Sequence, residues 1–406
     1  MTPSFRVPRL YAYFTISAVI SLGIWVLLLL PNFLAGRGWS SQEIGWAVGA
    51  YFLVNLVCQA ASGQLAVRYG NIATALWGAA AATVGGFCYL GALHFPALIF
   101  AARALHGAGA AMIYVGALMD LLQAVPPELR GRMIGYFGLP GFFMLGIGPP
   151  LSEWLIYRWG FEGIFVSVPV MFGGVAAVLA RIPRSVERRR PAAQDSLYRA
   201  LRASVDSLGS ILLFSVCFGF CFSAWNSFLA PAVRGVGPGA VSMFGLGYGG
   251  GAVLTRLGLS HKLEVGKRRL YAIALLGLYG AGLAAIPACR ARWGLVLVGF
   301  VCGMIHGTYY PSLSSLAAER FPRMHAAQAT SLYVSANAVG LFVGPPLWGM
   351  VADRVGYGPM FTTAGLLLAS ATVWFVVAQL RAGTAEEVAP RDPEPGLRAA
   401  GRRRNM

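Results

Sequence analysis

Leu145-Gly-Ile-Gly-Pro-Pro-Leu-Ser-Glu-Trp-Leu-Ile-Tyr-Arg-Trp-Gly-Phe-Glu-Gly-Ile-Phe165 returns later in the chain as Leu341-Phe-Val-Gly-Pro-Pro-Leu-Trp-Gly-Met-Val-Ala-Asp-Arg-Val-Gly-Tyr-Gly-Pro-Met-Phe361, with leucine, glycine, proline, arginine and phenylalanine in step. The same offset carries Gly107 onto Gly303, Tyr114 onto Tyr310 and Pro126 onto Pro322. A match of this length and spacing marks a duplicated unit, so the chain reads as two related halves. Its composition tells which solvent those halves meet. Of 406 residues, 57% are hydrophobic and only 12% charged, which does not describe a water-facing surface.

Runs of roughly 20 residues with few or no charges lie at about 11–34, 43–66, 72–93, 97–121, 131–156, 161–181, 207–232, 237–259, 270–289, 293–317, 327–352 and 358–380. Each is long enough to cross a hydrocarbon layer of about 30 Å as a helix. Their continuous apolar character argues against a β-barrel, whose wall alternates every second residue. The expected fold is all-α: twelve transmembrane helices in two pseudo-symmetric six-helix bundles. The expected division is an N-terminal bundle over 1–182, a cytoplasmic linker over 183–206, a C-terminal bundle over 207–382 and a disordered cytoplasmic tail over 383–406. Within the linker, Asp195 to Ser204 reads either as a short interfacial helix or as a solvated segment.

Orientation follows from the 32 Lys and Arg residues, since positive loops stay on the cytoplasmic side. With both termini inside, Arg37, Arg158, Arg234, Arg290, Arg292 and Arg354 fall outside, Arg103 and Arg256 fall within spans, and all the rest are cytoplasmic. The net charge of +17 then reflects topology and attraction to anionic membrane lipids rather than a nucleic-acid partner. The first span has little basic lead-in and no small-residue cleavage site, so it reads as a retained helix. Six cysteines lie in or at the ends of spans and read as reduced, packed thiols. Cys217 and Cys221 share a helix face without a histidine or carboxylate beside them, so no metal and no cofactor is expected.

Spans 5 and 11 each contain Gly-Pro-Pro, at Gly148-Pro149-Pro150 and Gly344-Pro345-Pro346. Each proline removes a backbone donor, so both helices are expected to bend at equivalent depths. Gly63-Gln-Leu-Ala-Val-Arg68-Tyr-Gly70, between spans 2 and 3, resembles the loop signature Gly-x-Leu-Ala-Asp-Arg-x-Gly-Arg of the major facilitator superfamily, with Val67 in place of the aspartate and Asn71 in place of the last basic residue. Arg103-Ala-Leu-His-Gly107-Ala-Gly109 in span 4 resembles that family's Arg-x-x-x-Gly-x-Gly, whose arginine is linked to proton coupling in exporters. The Gly148-Pro149 segment is similar to the family's antiporter motif, and Arg256 with Lys262, Glu264, Gly266, Lys267 and Arg268 resembles a degenerate second loop signature. The resemblance spans about 10–381 and implies that spans 1, 4, 7 and 10 line a central cavity. It also implies that Gly63, Arg68 and Gly70 shape a cytoplasmic gate.

An ionisable side chain inside the membrane is costly unless it meets water, a partner or a ligand. Arg103, His106, Ala110 and Tyr114 form one stripe on span 4. Arg103 is either held by Glu43, Glu153 or backbone carbonyls, or it faces the cavity and acts on an anionic group or a proton. Span 10 offers His306, Tyr309 and Tyr310, where a histidine suits proton binding and release or a plain interhelical hydrogen bond. Glu153 reads as an outer-leaflet proton acceptor or as a partner of Arg158; Asp120 as a proton candidate or as a partner of Arg130 or a loop arginine. Phe218, Phe222, Trp225 and Asn226 on span 7, with Tyr333 and Asn337 on span 11, suit an amphipathic organic substrate.

Gly245-Leu-Gly-Tyr-Gly-Gly250 fits a dinucleotide pattern but opens no strand–helix unit, and the sequence has no P-loop, so gradients rather than ATP must supply the energy. The reading is not an enzyme but a multi-pass inner-membrane secondary transporter, expected as a monomer, that exports a small amphipathic organic molecule by proton antiport. An uptake symporter and a lipid or lysolipid flippase share the same fold, and a membrane enzyme or sensor is the rival of a different class.

Overall fold

The computed structural model describes residues 7–182, 194–258, 268–319 and 326–388, and among them there are helices and turns but no strand. Lipid offers no hydrogen bonds, so each span must satisfy its own backbone, and helices do so within the segment. Nine helical stretches are long and apolar enough to cross a membrane, and one of them, Met133–Ala180, holds two passes. With Ala240–Gly258 and the shorter Leu276–Ala288 the count reaches the twelve spans expected. The protein is a multi-pass membrane protein with a two-bundle, twelve-helix fold. The end of the bundles where the chain begins is called inner here, the opposite end outer.

Span 1 is two helices, Val7–Trp25 and Leu30–Gly36. Pro31 in the first turn of the second helix cannot donate to the ladder, and the Leu30 N–H turns to Leu27 at 3.0 Å. The Val26 carbonyl freed by this shift accepts the Ser152 hydroxyl of span 5 at 2.6 Å. The helix of span 5 runs on through Gly148-Pro149-Pro150, and the chain reverses into span 6 at Gly160, with φ +66° and ψ −164°, within Pro140–Ala180. Only a residue without a Cβ takes this conformation at little cost. Gly356, at φ +83°, joins span 11 (Ala326–Val355) to span 12 (Tyr357–Val388) in the same way. Gly70, at φ +98°, joins span 2 (Ser41–Tyr69) to span 3 (Asn71–Gly91).

Helix Gln194–Ala232 carries span 7 back into the segment read as linker, and Tyr357–Val388 carries span 12 into the first residues of the segment read as tail. The rest of both segments, 183–193 and 389–406, lies outside the described residues. Within each half, small residues set the close contacts. The dinucleotide-like pattern of span 8 is such a seam: a Cβ at Gly247 or Gly251 would lie 2.2 Å from the carbonyl oxygen of Val296 or Phe300 on span 10. Between the halves, spans 2 and 11 pack together, as do spans 5 and 8.

Candidate functional site

Those two cross-bundle seams close the outer end. The carboxylate of Asp353 on span 11 accepts the backbone N–H groups of Ser41 at 2.8 Å and Gln42 at 2.9 Å, the first turn of span 2. It thereby caps a helix belonging to the other bundle. Ser41 Oγ lies 3.0 Å from the Tyr357 hydroxyl. One turn deeper, a Cβ at Gly45 would stand 2.3 Å from the Pro345 carbonyl oxygen, so the backbones touch. On the second seam Ser242 donates its hydroxyl to Glu153, and a Cβ at Gly245 would meet Pro149 at 2.7 Å. Trp25 of span 1 stacks on Trp225 of span 7, with ring centres 5.9 Å apart and planes 4° from parallel.

Toward the inner end the bundles part around a cavity of about 570 Å³. Its wall takes Ser17 and Ser21 from span 1, Tyr114 from span 4, Phe137 and Phe142 from span 5, Arg256 from span 8, and Tyr310 and Ser314 from span 10. That volume is typical of a site for a drug-sized organic molecule. Among the described residues its lining mixes aromatic faces with hydroxyls and contains one full charge, that of Arg256, and no carboxylate.

Behind the Phe142 ring lies His306, 5.5 Å away centre to centre and edge-on. The His306 Nδ1 is 2.7 Å from the Tyr248 hydroxyl, which is 3.1 Å from the Tyr279 hydroxyl, which accepts Trp225 Nε1–H at 2.8 Å. Tryptophan can only donate. Read in the one direction that leaves no hydroxyl hydrogen without an acceptor among these four, Tyr279 donates to Tyr248 and Tyr248 to His306. This relay connects the ring stack between the bundles to the histidine beside the cavity.

A family model described as the Major Facilitator Superfamily matches residues 11–345 and 235–404. The chain belongs to this superfamily. Among superfamily relatives, the uncharacterized MFS-type transporter YhhS of Escherichia coli is 22% identical over 88% of this chain and 89% of its own. The tetracenomycin C resistance and export protein of Streptomyces glaucescens is 26% identical over 82% of this chain, which spans little more than half of that protein, 56%. The fold is similar to the crystal structure of the nucleoside transporter NupG, with a TM-score of 0.74 at 14% identity, covering 92% of this chain and 98% of that one.

Of the residues singled out in the sequence, the superfamily fold brings Tyr114, Tyr310 and Arg256 to the cavity wall. Tyr309 sits behind Tyr310 among the Phe214, Phe218 and Tyr333 rings. Arg103 lies apart: its guanidinium rests over Tyr51 at 4.7 Å and donates to the Val48 carbonyl at 3.1 Å. It shares a void of about 20 Å³, room for one water, with Asn226 of the other bundle. His106 is enclosed by the Tyr51, Tyr89 and Phe172 rings inside the first bundle. Asn337 packs against span 7, donating to Ser215 O at 3.4 Å. Glu153 is engaged by Ser242 rather than Arg158 and lines an outer vestibule of about 510 Å³. Asp120 accepts the Tyr13 hydroxyl, while Arg130 donates to the Leu122 carbonyl. At the inner end Arg68 lies over Tyr69, and Gly63 has open space beside it. Gly148 and Gly344 admit Trp25 and Ser223 to close contact.

Sequence reasoning missed Asp353, although a signal existed: Gly349-Met-Val-Ala-Asp353-Arg354-Val-Gly356 echoes Gly63 to Gly70 and keeps the aspartate that the earlier copy lacks. It missed Tyr248 and Tyr279 because a tyrosine in a span looks the same whether or not its hydroxyl is used. Replacing Asp353 with asparagine leaves one N–H of span 2 facing an amide N–H. The side chain is exposed, so the outer seal should weaken by only about 1 kcal/mol, roughly fivefold in its population. A Leu29→Cys reporter in a cysteine-free background, buried beside the outer vestibule, should label correspondingly faster with an impermeant thiol reagent.

Proposed function

We propose that the protein is a secondary active transporter of the inner membrane that exports a small amphipathic organic molecule in exchange for protons. The observation that carries this reading is the cavity between the bundles, walled by aromatics and hydroxyls at the inner end and sealed from the outer end by two seams. A solute entering from the inner side fills it, the seams part, and the same wall then faces outward. The inner side is the cytoplasm, on the strength of the positive loops. Substrate makes contact through Tyr114, Tyr310 and Phe142; His306, behind Phe142 and at the end of the relay, exchanges the proton as the cavity changes its exposure. The arginine motif of span 4 and the glycine–proline motif of span 5 favour export, as does the relative that exports tetracenomycin C.

The test is reconstitution into liposomes with an imposed pH gradient and a panel of amphipathic solutes, reading solute and proton movement together. Opposed movements of solute and proton are expected. Parallel movement would make the protein a symporter, and solute flux indifferent to pH would remove the proton from the mechanism.

A further inference from the structure

The cavity wall has an electrical character that its general description as amphipathic leaves out. Among the described residues its single ionic group is Arg256, which sits in the last turn of span 8 and shares the wall with Tyr310 and Tyr114, both partly exposed. Phe142 and Ile134 present apolar surface to the same cavity. A guanidinium beside hydroxyl donors, with no carboxylate among the described lining residues, is a surface that rejects cations and pairs in bidentate fashion with an oxyanion. The cost of holding a charge in the membrane falls when the ligand supplies the opposite one. Arg256 is also engaged within the protein, so the ligand's head shares or exchanges that contact. The apolar floor and the volume of about 570 Å³ leave room for a ring system or a short chain behind the head.

We infer that this cavity is a site for amphipathic organic anions, in which Arg256 binds the carboxylate or phosphate head and the wall around Phe142 and Ile134 receives the apolar body. The inference rests on the transporter reading only for the route by which the anion arrives, and the two can fail separately. An anion of this class could come from the aqueous phase or from the membrane as a lysolipid, and the two sources share the same chemistry at Arg256.

The test titrates the purified full-length protein with 1-naphthoate, decanoate and lysophosphatidate, each beside an uncharged counterpart: 1-naphthamide, decanamide and monoacylglycerol. At least one acid should bind about tenfold more tightly than its neutral partner. That ratio should fall to about one in Arg256→Gln and be partly kept in Arg256→Lys. Because the ratio is taken within each variant, a general loss of folded protein does not imitate the result. Charge preference for lysophosphatidate alone assigns the membrane source, and preference for naphthoate or decanoate the aqueous one. Equal affinity for acid and neutral forms throughout, no binding by any acid, or a preference that survives Arg256→Gln overturns the inference. Arg256-dependent anion binding without gradient-driven flux would instead leave the anion site standing and remove the transport reading.

Discussion

Gly45→Val should hold the protein open on its outer side. The hydrogen-only side chain of Gly45 lets span 2 lie directly on the backbone of span 11, and an added Cβ would fall 2.3 Å from the Pro345 oxygen and 2.7 Å from the Pro346 Cα. Neither neighbour is a flexible side chain that can swing away. Valine adds two further methyl groups to the same spot. Overpacking of this kind costs about 1–3 kcal/mol, which moves a two-state balance by roughly 5- to 150-fold. The strain exists only while the seam is closed, so it acts on the balance between states and spares the folded bundles. The Leu29→Cys reporter should therefore label at near its maximal rate, and transport should fall in proportion to the lost closed population. Unchanged labelling would mean that the seam relaxes around the valine and is not what seals the outer end.

Tyr248→Phe should separate substrate movement from proton movement. The phenol oxygen removed is the link between Tyr279 and His306, which lie on either side of it at 3.1 Å and 2.7 Å. Its loss leaves the Tyr279 hydroxyl without its acceptor and His306 Nδ1 without its donor, a cost of about 1–3 kcal/mol for polar groups out of water. The ring itself stays, so packing against Trp225 and Phe244 is kept. Protons moved per solute in the liposome assay should drop by about tenfold while solute still equilibrates down its own gradient. A wild-type ratio in this variant would exclude the relay from coupling.

The twelve spans were readable because lipid restricts the backbone so strongly that length and apolarity nearly determine helicity. The breaks were less so. The reversal between spans 5 and 6 falls on Gly160, whose role depends on a φ value that composition does not display. The site shows a similar limit. Arg103 and Tyr114 do share a stripe on span 4, as their spacing requires, but they lie about 16 Å apart along the axis. Tyr114 reaches the cavity level and Arg103 the level of the seal, beside Asn226. Periodicity gives the angle around a helix; it does not say which depth is open and which is shut. For the same reason Arg256, which reads as part of a loop signature, stands on the cavity wall.

The single-residue joints at Gly70, Gly160 and Gly356 have a mechanical consequence. A hairpin whose two arms meet at one residue has no slack: neither arm can slide or tilt far without forcing new torsions on that glycine. Spans 2 and 3, 5 and 6, and 11 and 12 thus behave as stiff forks rather than as strung rods. A push delivered to one prong at a seam is passed to its twin, so in the transport cycle proposed above a displacement near the ligand would move the fork as one piece.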